Sequence, residues 1–418
     1  MKLSQKAKNL KILAPAGDWE CLRTAISAGA DSIYFGISNF NMRSTGAKNF
    51  QLKDVPQITE LCKKNNVESY LTVNTIMYNS DLKKMRKIID AAKKNECNGV
   101  IVSDFAAIQY AKEINMSMCI STQLSISNIE AVRHFSKYAN RIILARELSL
   151  EQIKEILNQI KEKKIKGPNG KLVEIEIFGH GALCVAISGR CNMSLYCYNK
   201  SANRGKCTQV CRRAYKITDL ETGQELKVDN NYIMSPKDLS TIGLLPEIID
   251  AGVKVLKLEG RGRPPEYVDT IVKVYKKTIK AIETGGYSSQ LIKELNKDLE
   301  SVFNRGLGTG MYLGRNEKEW ANGPGNQSKS KRIFVGKVLH YFNQKKVALI
   351  EIQAKISLKE NDKCLITGPT TGLIKFKIKE PVIENKKTTT INQRDKFTVF
   401  IGEKVRKNDD VFLLNRKF

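Results

Sequence analysis

The chain has 418 residues, enough for two domains or for one barrel with an appendage. Its 41% hydrophobic content supports a sizeable core, and the absence of a run of about 20 apolar residues argues against a membrane-spanning helix. Seventy basic residues against 43 acidic ones leave a formal charge of +27, which favours a polyanionic partner such as RNA or DNA. Only 18 of the basic residues are Arg, and a lysine-rich composition raises charge without any ligand.

In chain order, the N-terminus MKLSQKAKNLKILAPAG is basic, but its short apolar run is broken by Pro15, so no secretory signal is expected. Ten cysteines in such a chain point to a reducing, cytoplasmic setting, where they serve as ligands or core residues rather than as disulfides. Cys21, Cys62, Cys97 and Cys119 stand among apolar neighbours and read as packing residues.

Short β-branched runs then recur: LKILAP (10–15), DSIYFGI (31–37), SYLTVNT (69–75), GVIVSD (99–104), CISTQ (119–123), RIILARE (141–147), EIEIFGHG (174–181) and VKVLKLEG (253–260). Segments with apolar residues at helical intervals separate them, among them Asp54–Asn66, Asp81–Asn95 and Leu150–Lys161. Eight alternating units predict an α/β fold, a (β/α)8 TIM-like barrel with its site at the strand C-termini. After strand 7 a cysteine-bearing insertion, residues 182–235, interrupts the alternation within a barrel domain of residues 1–316. A polar Gly/Pro-rich linker (317–332) leads to alternating segments over 333–418, which predict a small all-β, barrel-like domain. That domain suits an RNA grip or a structural cap.

The insertion carries Cys184, Cys191, Cys207 and Cys211 in the pattern C-x6-C-x15-C-x3-C. This matches neither zinc-finger pairs nor the ferredoxin run, so an iron–sulfur cluster, a zinc ion and a partly structural role stay open. Cys197 is a spare. Lys200, Arg204, Lys206, Arg212 and Arg213 would offset thiolate charge or hold phosphate.

His180, in G-H-G at the end of strand 7, is a hydrogen-bonded structural histidine or a proton carrier, and could pair with Cys184 as a peptidase base. Glu259, Arg261 and Arg263 follow strand 8, just before Pro264 and Pro265 open a helix. Guanidiniums beside a helix N-terminus suit a phosphate or carboxylate; a Glu259–Arg ion pair is the alternative. Asp18 reads as a helix cap. Arg43 lies in the loop after strand 2, and Asn74 and Gln123 end strands 3 and 5, all three facing the mouth as substrate-binding candidates. Glu147, ending strand 6, is a candidate acid.

Together APAGD (14–18), YFGISNFNMR (34–43), STQLSISN (121–128), LARELSL (144–150), EIFGHGALCVAISGRC (176–191), KLEGRGRPPEYV (257–268) and FNRGLGTGMYLG (303–314) resemble the collagenase-like peptidase family, peptidases of unknown mechanism (class U). The resemblance covers most of residues 10–315. It implies a barrel, a [4Fe–4S] cluster on Cys184, Cys191, Cys207 and Cys211, and oxygen-independent hydroxylation. The branch it is most similar to hydroxylates the tRNA wobble uridine to 5-hydroxyuridine, with prephenate as the implied hydroxyl source. Sister branches imply alternatives: ribosomal RNA hydroxylation, quinone-precursor hydroxylation, or collagenase-like peptidase activity. A non-catalytic RNA-binding role, or one shared with a paralogous subunit, is a further expectation.

Overall fold

The computed structural model describes residues 2–226, 232–314 and 319–416; parts of the expected insertion (227–231) and of the barrel–linker boundary (315–318) lie outside the described residues. Eight β-branched runs form β1 (Lys11–Ala16), β2 (Ser32–Gly36), β3 (Glu68–Val73), β4 (Gly99–Val102), β5 (Met118–Ile120), β6 (Arg141–Ile143), β7 (Glu174–Ala182) and β8 (Val255–Leu258). Each pairs in parallel with the next, and β8 pairs with both β7 and β1, closing the barrel. The strands are buried along almost their whole length, because helices cover the outside while side chains fill the inside.

Among the described residues the helices of seven residues or more are α1 (Trp19–Ser27), α2 (Val55–Lys64), α3 (Leu82–Lys94), α4 (Phe105–Glu113), α5 (Ile129–Phe135), α6 (Leu150–Glu162), α7 (Leu245–Ala251), α8 (Pro265–Thr284) and α9 (Ser289–Ser301). In α3, Met85, Ile88, Ile89 and Ala92 bury one face at the spacing the sequence shows. Side-chain oxygens stop the orphan amides at several N-termini: Asp18 accepts from Cys21, Asn128 from Ala131, and Ser149 forms a capping box with Gln152. Asp18 is thus a cap. Cys21, Cys62, Cys97 and Cys119 are all buried.

Several strands are shorter than their runs. CISTQ leaves the sheet at Ile120 and turns through a 3-10 segment, Thr122–Leu124. RIILARE leaves it at Ile143, after which the Ala145 amide bonds Ile126 rather than a neighbouring strand. The end of β7 is captured by an unanticipated short strand, Asp238–Ser240, which runs antiparallel to it and pairs in turn with Leu307–Gly308. Ala182 sits opposite Asp238. The insertion therefore leaves and re-enters the barrel rim at neighbouring points.

Residues beyond the barrel form β9 (Ser330–Phe342), β10 (Val347–Ile352), β11 (Lys363–Gly368), β12 (Gly372–Lys377), β13 (Lys396–Phe400) and β14 (Asp410–Arg416). They make one antiparallel sheet in the order β12-β11-β14-β9-β10-β13, extended by two short strands. Val335, Ile350, Ile366, Phe397 and Val411 belong to its separate core. It contacts the barrel through Arg23 Nε to the Pro369 carbonyl at 2.7 Å and Arg332 to Glu266 at 3.0 Å. Among the described residues no helix is long and apolar enough to cross a membrane.

Candidate active site at the barrel mouth

A cavity of about 150 Å³ opens at the C-terminal ends of the strands. Loops after β2, β3, β5, β6, β7 and β8 meet there, the arrangement that lets a barrel assemble chemistry from distant sequence positions. Cys184, Cys191, Cys207 and Cys211 all line it, whereas Cys197 does not. Local bonds explain why an irregular segment holds them. The Cys191 amide donates to Asn203 at 3.1 Å, the Thr208 amide to Ser194 at 3.0 Å, and the Gln209 amide to the Cys207 sulfur at 3.4 Å. Gly205, at φ +79°, lies so close to the Asn41 carbonyl that a Cβ would stand 2.1 Å from its oxygen. Only glycine lets the Cys207 segment rest on the loop carrying Arg43.

Arg212 and Arg305 tie the segment to the barrel. The Arg212 guanidinium donates to the Leu183 and Pro236 carbonyls and, at 3.1 Å, to the Ser235 hydroxyl, so it joins the two stretches that bear Cys184 and Cys211. Arg305 pairs with buried Asp238 at 3.0 Å and donates to Gln209 at 3.1 Å. Burial raises the Cys211 thiol, Arg212 opposes that rise, and the other three cavity cysteines add to it. Among the described residues no three His, Cys, Asp or Glu side chains converge as tightly as a single metal ion requires. Four thiols around one cavity are the donor set of a soft metal or an iron–sulfur centre.

The cavity is strongly cationic. Arg43, Arg146, Arg212, Arg261, Arg305 and Lys257 line it, against the single carboxylate Glu259. Burial alone would raise the Glu259 carboxyl, but Arg43, at 2.8 Å, and Arg263 hold it down at about 2. Arg146 donates to the Ser188 hydroxyl and the Ala182 carbonyl, and Arg261 to the Thr72 hydroxyl at 3.2 Å. Among the described residues no carboxylate lies within ion-pair distance of Arg146, Arg212 or Arg261. Desolvation lowers all three, Arg212 and Arg261 to about 10. Cations drawn from water and held only by neutral acceptors favour an anionic ligand.

A second cavity adjoins the first, sharing Met42, Asn74, Gln123 and Gly189. Its other walls include Ile76, Leu124, Ser188, Asn192 and Asn203, carboxamides beside apolar faces. Outside it, Arg204 lies 3.9 Å over the exposed Tyr78 ring, and Tyr196 is 86% exposed.

The model of Peptidase family U32 matches residues 17–322, nearly three quarters of the chain. The chain belongs to that family. A collagenase of Porphyromonas gingivalis (strain ATCC BAA-308 / W83) is 44% identical over 409 residues, covering 98% of this chain and 99% of the relative. The "tRNA hydroxylation protein P1" of Bacillus subtilis (strain 168) is 31% identical over 369 residues, 87% of this chain and 84% of the relative. The "23S rRNA 5-hydroxycytidine C2501 synthase" of Escherichia coli (strain K12) is 32% identical over 281 residues, 67% of this chain and 41% of the relative.

In this U32 chain the structure gathers Arg43, Asn74, Gln123, Glu259, Arg261 and the four cysteines around one cavity. Asn74 donates to Ser121 at 3.2 Å and to Gln123 at 3.1 Å, so the two amides brace each other. Three expected residues sit elsewhere. Arg263 stacks on Phe303, 3.3 Å from the ring centre, outside the lining. Glu147 is exposed in the turn after β6, and its neighbour Arg146 points into the cavity instead. His180 is 2% exposed between the rings of Tyr267 and Tyr275, and burial pushes it down to about 3. It does not line the cavity with Cys184. The first turn of α8 is also off the cavity; Glu266 there pairs with Arg332 of the C-terminal sheet. Sequence reading missed Arg146, Arg305 and Lys257. Lys257 did leave a signal, as a cation inside an apolar strand.

Proposed function

We propose that this protein is an RNA-modifying enzyme that hydroxylates the wobble uridine of tRNA to 5-hydroxyuridine without molecular oxygen, using prephenate and a [4Fe–4S] cluster. One observation carries this reading: four thiols and three guanidiniums that have no carboxylate partner among the described residues share a cavity at a barrel mouth. Relatives named for tRNA and rRNA hydroxylation support it, as does the +27 charge.

Cys184, Cys191, Cys207 and Cys211 would hold the cluster, which supplies one-electron chemistry when bound. The rest falls to the chain's own residues. Arg146, Arg212 and Arg261 offset thiolate charge and orient the carboxylates of prephenate by charge-assisted hydrogen bonds. Glu259 fixes Arg43 at the rim. The adjoining cavity takes an extruded uracil, its edge read by carboxamides of the kind lining that wall. Lysine-rich faces hold the RNA backbone, which predicts binding that weakens steeply with salt.

The test is nucleoside analysis of tRNA from cells with and without the gene. Loss of 5-hydroxyuridine derivatives on deletion is expected, with recovery on return of the gene; unchanged nucleosides would contradict the reading. A peptidase reading is favoured by the 44% identity to a collagenase over nearly the full chain. It predicts cleavage of denatured collagen by the purified protein. The burial of His180 removes the Cys184–His180 pair as its means.

A further inference from the structure

The floor of the cavity holds a lysine that the reading above leaves unused. Lys257 is 5% exposed, lies on β8, and lines the cavity. Its ammonium is 3.0 Å from Glu176, which is fully buried and whose second carboxylate oxygen has no hydrogen-bond partner. The next cation along, Arg141, approaches that oxygen only to 3.8 Å. Burying such a pair adds little stability over well-packed apolar residues of the same size. Because the lysine of the pair lines the cavity, chemistry is the better explanation.

We propose that Lys257 is a nucleophile that forms a Schiff base with the ketone of a 2-oxo carboxylate bound in the cavity. The pieces are in place. Lys257 and Arg261 both line the cavity and both lie against the Tyr34 ring, 4.3 and 5.7 Å from its centre, which puts an amine and a guanidinium in one cavity wall. A 2-oxo acid carries its ketone beside its carboxylate, and these two groups match it. Burial lowers the Lys257 ammonium and nearby Arg261 lowers it further, against Glu176, which raises it; a desolvated lysine beside another cation is the usual route to a nucleophilic amine.

The step balances within the site. Glu176 takes a proton from the ammonium as the nitrogen attacks the ketone carbon, forming the C–N bond. It returns that proton to the oxygen, giving a hydroxyl, and then relays a second proton from the nitrogen to it, so that the C–O bond breaks, water leaves and the C=N bond forms. The product is a protonated imine carrying the charge the ammonium had. This deepens the co-substrate half of the proposed function, since prephenate is itself a 2-oxo acid, but its test needs neither RNA nor cluster.

Full-length protein is incubated with pyruvate and sodium cyanoborohydride, digested, and mapped by mass spectrometry. The expected result is a gain of one pyruvic acid less one oxygen atom at Lys257, formed on the order of 10-fold faster than at surface lysines. Lys257→Arg keeps the charge opposite Glu176 and should melt like wild type while losing the adduct. Labelling of Lys257 no faster than surface lysines overturns the proposal, as does tRNA hydroxylation that survives in Lys257→Arg. An adduct at Lys257 with tRNA unchanged by gene deletion would sink the RNA reading and leave this one standing.

Discussion

The barrel interior pairs its cations with carboxylates toward one end, while at the mouth, among the described residues, only Arg43, Arg305 and Lys257 of the cavity cations are so paired. Toward the strand N-termini, buried Arg141 has Glu174 at 3.1 Å with Glu68 and Glu176 at 3.8 Å, and Glu68 also takes Lys11 at 2.6 Å. At the mouth, Arg146, Arg212 and Arg261 rest on hydroxyls and carbonyls. The first arrangement sets carboxylates against its cations. In the proposed function the second is completed by an anion, whether thiolate-bound cluster, carboxylate or phosphate. The contrast shows why buried charge alone says little about function, and why its pairing says much.

That contrast can be broken by substitution. The largest effect is expected at the cavity cysteines: Cys191→Ser or Cys211→Ser should cut tRNA hydroxylation ~100-fold or more, while Cys197→Ser leaves it near wild type. Nucleoside quantification after complementation reads this out. Next is Glu259→Gln, which strands Arg43 and should cost about 3 kcal/mol in denaturant unfolding. The wild-type contribution has a defined pH window. Because the folded carboxyl sits at about 2, below its unfolded value, the stabilisation is present above the usual carboxylate range and lost as pH falls from there through about 2. The Gln variant should lack that acid-limb loss.

A sharper comparison pairs the two ends directly. Arg141→Met should destabilise, because it takes the guanidinium from Glu174 and from the unbonded oxygen of buried Glu176. Arg146→Met should leave the melting temperature unchanged or raised, yet weaken carboxylate binding ~10–100-fold, the worth of one charge-assisted hydrogen bond. Equal destabilisation by both would erase the distinction. The smallest effect is expected where the C-terminal sheet meets the barrel: Arg332→Ala loses a partly exposed pair to Glu266 and should cost about 1 kcal/mol or less, measured by calorimetry.

The barrel was legible because eight buried parallel strands each leave an uninterrupted β-branched run, and the helices between them keep one apolar face. The cysteine quartet was legible because soft ligands stand out in a segment otherwise without periodicity. Side-chain direction in the turns was not. Arg146 and Glu147 are adjacent, and the early end of β6 decides which one faces inward. His180 stood at a strand end beside Cys184, but Tyr267 and Tyr275, more than 80 positions away in sequence, close around it. The strand Asp238–Ser240, three residues long, is too short to carry an alternation. Lys257 showed only as a charge among valines and leucines.

The most direct measurement is the iron and acid-labile sulfide content of protein purified without oxygen. The account predicts about four of each per chain in the wild type, and loss of both when Cys184, Cys191, Cys207 and Cys211 become serine. Wild-type protein that binds zinc in place of iron, or that holds iron equally well without those four sulfurs, would contradict it.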